Sequence, residues 1–171
     1  MKNDFNFIET DLYNHVHDIL VLSLLLAKEK DLNILDYGSN IIPWSNISNK
    51  INLDNLKVTI YDPFSNNEKE VKLFNNFKVK ILNSNNILKE KNYDFLIFGS
   101  SSQYIKNFLE VLDSNMILNS NLVLFTHTPL SKKEDFISNQ HTGYKGHQII
   151  RSFNFIKEKM EKNKFELIFK S

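Results

Sequence analysis

The segment that most constrains the fold is Phe95-Leu96-Ile97-Phe98, four consecutive apolar residues entered from Asp94 and left through Gly99-Ser100-Ser101-Ser102. A half-buried strand alternates apolar with polar residues. A short unbroken apolar run closed by turn residues belongs to a strand buried on both faces, as in parallel sheets. Five other segments fit strands: Asn33 to Asp36, Lys57 to Tyr61, Phe77 to Leu82, Asn121 to Thr126 and Phe165 to Phe169. Helical spacing falls between them. Asn40 can cap a short helix from Ile41 to Ile51, with Pro43 tolerated in its first turn. Ile105, Phe108, Leu109 and Leu112 trace a second helix, and Phe153, Ile156 and Met160 a third. Strands separated by helices imply βαβ units, so the expectation is a doubly wound, mostly parallel α/β sheet of about six strands with helices on both faces. No linker or repeat divides the chain, and residues 1–171 read as a single domain.

Charge and cysteine content narrow the function classes. With 21 basic and 20 acidic residues the net charge is +1, so no nucleic-acid partner is expected, since non-specific binding needs clustered positive charge. Cysteine is absent, which excludes disulfides and thiolate chemistry and favours a reducing, cytoplasmic setting. The apolar stretch Ile19 to Ala27 is too short to cross a bilayer and follows Asp4, Glu9, Asp11 and Asp18 rather than positive charge. It reads as a packing helix capped by Thr10, with no membrane association.

In parallel sheets ligands bind beyond the carboxyl ends of the strands, where strand order reverses. The first strand leads into Asp36-Tyr37-Gly38-Ser39-Asn40, where a glycine lets backbone approach a ligand closely. The second ends in Asp62, 24 residues after Gly38, where a carboxylate can accept both hydroxyls of a ribose. The fourth ends in Gly99-Ser100-Ser101-Ser102-Gln103. Each piece also has a plain turn-forming explanation; the ordered set points to a nucleoside-bearing ligand. A dinucleotide would need further glycines to crowd its pyrophosphate, yet Ser39, Asn40 and Ile41 follow Gly38. No P-loop occurs either. S-adenosylmethionine carries no phosphate and needs fewer glycines.

Leu35 to Asn40, Ile60-Tyr61-Asp62 and Tyr93 to Phe98 resemble the successive motifs of class I S-adenosylmethionine-dependent methyltransferases, a Rossmann-like superfamily. Ser101-Ser102-Gln103-Tyr104-Ile105, Thr128-Pro129-Leu130 and Asn139-Gln140 more narrowly resemble bacterial methyltransferase-like proteins of surface-polysaccharide pathways. The resemblance implies S-adenosylmethionine as cofactor. It puts Asp36 and Gly38 against the methionine part, with Ser39 in the same site, and Asp62 on the ribose. Asn85 or Asn86 would approach the adenine amino group, and Ser100 and Ser101 would line the pocket near the sulfonium. Family members usually carry two or three glycines after strand one and an acid after strand three; this chain has neither.

The implied acceptor is a small hydroxyl-bearing molecule, a sugar or sugar-linked metabolite. Deprotonating a hydroxyl benefits from a general base, and His127 stands just beyond the fifth strand. His141 and Tyr144, in the loop holding Gly143 and Gly146, are candidates for acceptor contacts. His127, His141 and His147 near Glu134 and Asp135 lack clear metal-ligand spacing, and no metal is expected. Trp44 and Phe64 could stack on a ligand or pack in the core. Two alternatives stay open: a non-catalytic ligand- or partner-binding relative, and a nucleotide-dependent oxidoreductase, which the missing glycines oppose. Methyltransferases of this kind normally add a seventh strand, and the chain stops at Ser171. The expectation is a sheet lacking that strand, with an open edge on which a homodimer could form.

Overall fold

A computed structural model describes residues 31–48, 56–74, 77–89, 93–139 and 146–168. Its centre is a six-stranded sheet. Strand β1 (Leu32–Tyr37) lies between β2 (Leu56–Tyr61) and β5 (Phe95–Gly99), parallel to both. Outward from β2 come β4 (Lys78–Leu82), parallel, and β3 (Lys69–Lys72), antiparallel; outward from β5 comes β6 (Leu122–Thr126), parallel. The spatial order is β3-β4-β2-β1-β5-β6. A second, three-stranded sheet, ordered β7-β9-β8, joins Leu130–Ser131, His147–Ser152 and Phe136–Asn139.

This mixed α/β architecture corrects the expectation of a doubly wound Rossmann-like sheet. The passage from β2 to β4 uses no helix: β3 runs back along the sheet edge as one arm of a hairpin with β4. The residues explain it. Segment 62–74 holds Pro63 and few apolar residues, and its Val71 and Leu73 recur at a period of two, not at helical spacing. Helical cover is thin elsewhere among the described residues too: α1 (Ile42–Ser48), α2 (Phe108–Leu112) and α3 (Asn115–Leu118) are short, and α4 (Phe153–Lys162) has ten residues.

The expected strand at Phe165 to Phe169 is also corrected: residues 165–168 are irregular, and Phe169 lies outside the described residues. Lys164, at φ 68°, ends α4 in the left-handed region. Its N–H donates to the Glu161 carbonyl, and that of Phe165 donates to Met160 at 3.0 Å. These are the paired bonds of a Schellman cap, and Phe165 and Met160 both pack against the core, the apolar pair that often accompanies such a cap. The helix stop spends the apolar residue that suggested a strand.

Strand alternation divides the core. One face packs Ile34, Val58, Ile60, Val79, Ile81, Phe95 and Ile97 around the fully buried Trp44 of α1. The other packs Leu35, Tyr37, Tyr61, Leu82, Leu96 and Phe98 under α3 and a 3-10 turn, Asn85–Lys89. Phe98 sits at the centre of an aromatic cluster, stacked on Phe125 at 5.1 Å and edge-on to Phe108 at 6.3 Å. At the amino edge Asp94 ties three strands together. Its Oδ2 accepts from Asn33 N–H at 2.9 Å and its Oδ1 from Asn121 Nδ2 at 3.2 Å, while its carbonyl receives the N–H groups of Asn121 and Leu122. Among the described residues no helix is long and apolar enough to cross a membrane.

Candidate functional site

The order of parallel strands reverses at β1, so the carboxyl ends of β1 and β5 flank the switch point. Gly38 turns there at φ 75°, with its N–H donating to Tyr61 O at 2.8 Å. Across the switch point Ser101 Oγ donates to Tyr37 O at 2.6 Å. A Cβ on Gly38 would stand 2.7 Å from the Cβ of Ser101. Glycine is needed twice over here, for the left-handed backbone and for the closeness of the neighbouring turn. The structure thus brings Asp36, Gly38, Ser39, Ser100 and Ser101 to adjoining strand ends, with Asp62 at the end of β2.

Asp36 is placed differently from its neighbours. Only 1% exposed, it lies on the Trp44 face, and its Oδ2 accepts from Trp44 Nε1 at 2.8 Å. Oδ1 has no hydrogen-bond partner among the described residues. Burial pushes the carboxyl up to about 6, against the opposing pull of the Trp44 hydrogen bond. Trp44 is therefore a core residue that holds a buried acid, whereas Phe64 is 91% exposed. Burial, then the proximity of Tyr61, raises the Tyr37 phenol, which stays neutral beneath the turn with its ring 4.6 Å from that of Tyr61.

Asp62 is half-buried. Its N–H donates to Leu82 O, and its Oδ1 accepts from Phe64 N–H at 2.9 Å, a local turn that fixes the side chain. Asn86, exposed, follows β4 in the 3-10 turn, with its N–H donating to Ser84 Oγ. The side chain of Asn85 and all of His141 and Tyr144 lie outside the described residues. Ser100 and His127 each stand one residue beyond the paired Gly99 and Thr126, at the ends of β5 and β6. Both are left-handed, at φ 53° and 47°, and Ser100 N–H donates to Thr126 O at 2.9 Å. Two strained non-glycine residues side by side are uncommon, and such strain concentrates at ligand sites. Among the described residues no group of histidines and acids could hold a metal ion.

Sequence reasoning missed Arg151. It is the chain's sole arginine, 8% exposed, on β9. Nη2 donates to Ile105 O at 2.6 Å, Nη1 pairs with Asp135 at 3.5 Å, and the guanidinium carbon lies 4.6 Å over the Phe108 ring. Burial lowers its pKa, and Asp135 opposes that shift. One arginine among 20 lysines is itself a signal, because a planar fork can stack and donate twice where an ammonium cannot. Arg151 Nε, Gln103 Oε1 and Thr126 Oγ1 are buried without hydrogen-bond partners among the described residues. No protein-family model, curated protein or solved structure matches the chain.

Proposed function

We propose that the chain binds S-adenosylmethionine across the carboxyl ends of β1, β2 and β5 and methylates a hydroxyl of a small acceptor, a sugar or sugar-linked metabolite. The observation that carries this reading is the left-handed Gly38 turn, packed on Ser101 at the switch point, with Asp62 one strand away. The donor set suits the ligand. Residues 32–48 and 94–105 contain no basic side chain in a chain with 20 lysines, and a buried acid with an unpaired oxygen underlies the turn. Strand ends of this composition, with the Arg151 guanidinium paired to Asp135 and reaching only the far Ile105 carbonyl, favour a cation over a phosphate.

When bound, the cofactor supplies a methyl group on a sulfonium; the acceptor oxygen bonds to that carbon as the carbon–sulfur bond breaks, leaving a neutral thioether. The residues of the chain align and deprotonate. Asp62 commits one oxygen to Phe64 N–H and offers the other to the ribose hydroxyls. Asn86 serves the adenine edge, and Ser100 and Ser101 line the wall nearest the reacting carbon. His127, on the rim opposite Ser100, takes the hydroxyl proton on a ring nitrogen. Calorimetric titration with S-adenosylmethionine and with its demethylated thioether tests this. Saturable binding is expected, weakened about tenfold to a hundredfold in Asp62→Ala, the loss of a charged hydrogen-bonding partner. No binding at millimolar ligand would sink the reading.

A further inference from the structure

The Ser101–Ile105 turn is tied at both of its ends. Tyr104 and Ile105 N–H groups donate back to Ser101 and Ser102 within it. Ser101 reaches Tyr37, and Ser102 Oγ lies 3.1 Å from Thr128 Oγ1. Its far end is held by Arg151, whose Nη2 donates to the Ile105 carbonyl. Arg151 is fixed in turn. Phe108 lies under the guanidinium, Asp135 pairs with Nη1, and the other Asp135 oxygen accepts from Ser152 N–H at 2.6 Å. A continuous set of polar contacts and backbone therefore joins the small sheet to the Gly38 turn, through Asp135, Arg151, Ile105 and Ser101.

We infer that Arg151 is a positioning residue for the cofactor site: it holds the Ser100–Ile105 turn where Ser101 meets Gly38, so the three-stranded sheet sets the geometry of the pocket. This rests on the proposed reading of that pocket as a cofactor site. A lysine in its place keeps the charge but loses both the second donor and the flat face that rests on Phe108. The Ile105 end of the turn would then lose the guanidinium bond that holds its carbonyl.

The test compares wild type, Arg151→Lys and Asp135→Asn, the last loosening the guanidinium without removing it. Amide hydrogen exchange is measured on each protein without ligand, and S-adenosylmethionine binding by calorimetry. Arg151→Lys is expected to unfold cooperatively, to exchange faster at residues 101–105, and to bind about tenfold more weakly, the loss of one charge-assisted bond that pre-organises a site. Asp135→Asn should shift both readouts the same way by less, and it carries the test if Arg151→Lys does not fold. Wild-type exchange in the turn together with wild-type affinity in the folded variants would overturn the inference, leaving Arg151 as a packing residue. If wild type itself fails to bind, the cofactor reading falls. The exchange data then still decide whether Arg151 holds the turn.

Discussion

Replacing Gly38 by alanine puts a number on the contact at the switch point. The left-handed backbone at φ 75° costs a side-chain-bearing residue about 1–2 kcal/mol. The new Cβ would lie 2.7 Å from Ser101 Cβ and 3.2 Å from its Oγ, and relieving such a clash in packed surroundings costs about 1–3 kcal/mol. Alanine recovers about 0.4–1 kcal/mol by restricting the unfolded chain. The net expectation is a loss of about 2–4 kcal/mol. Ser101→Gly removes both atoms of the clash, so in that background Gly38→Ala should cost only the backbone component, about 1 kcal/mol. The coupling between the two sites is then about 1–3 kcal/mol. Urea denaturation of the four proteins, followed by the fluorescence of the buried Trp44, measures it without any ligand. A Gly38→Ala loss below about 1 kcal/mol, or strict additivity in the cycle, would refute the reasoning.

Two further outcomes follow from buried or strained groups. The Asp36 carboxyl is raised from 3.8 to about 6, so its stabilising contribution is complete below the unfolded value and is lost as pH rises through about 6. Two units amount to about 3 kcal/mol; Asp36→Asn should abolish that component of the change between about pH 4 and 7, and an unaltered pH profile would refute it. Lys164→Gly should raise the melting temperature by about 1–4 °C, since glycine relieves the left-handed cap at some cost in chain entropy, and a lower value would show the cap to be unstrained.

The strands of the parallel core were legible because each is its own signal: Phe95 to Phe98 and Lys57 to Tyr61 can hardly be anything but buried strands. β3 was not, since Lys69-Glu70-Val71-Lys72 has one apolar residue and takes its structure from the β4 edge beside it. The last segment misled for the opposite reason. Phe165 and Leu167 alternate like a strand, yet Phe165 closes the cap on α4. The site divides similarly. Gly38, Asp62 and Ser101 sit at strand ends that periodicity locates. Arg151 acts on Ile105, 46 residues away, and no local pattern carries a contact of that span.

Asp94 separates two kinds of work. It binds β1, β5 and the start of β6 at the edge opposite the candidate site, and a one-residue slip there would turn every side chain of a strand to the wrong face. Alignment is thus anchored at the edge away from the candidate site, while Asp62, Ser100 and His127 sit at the far ends of strands already in register. On the proposed reading, the edge that carries the candidate site is consequently free to change its chemistry. A chain built this way could exchange one substrate for another by rewriting loop tips, and the frame beneath would not register the change.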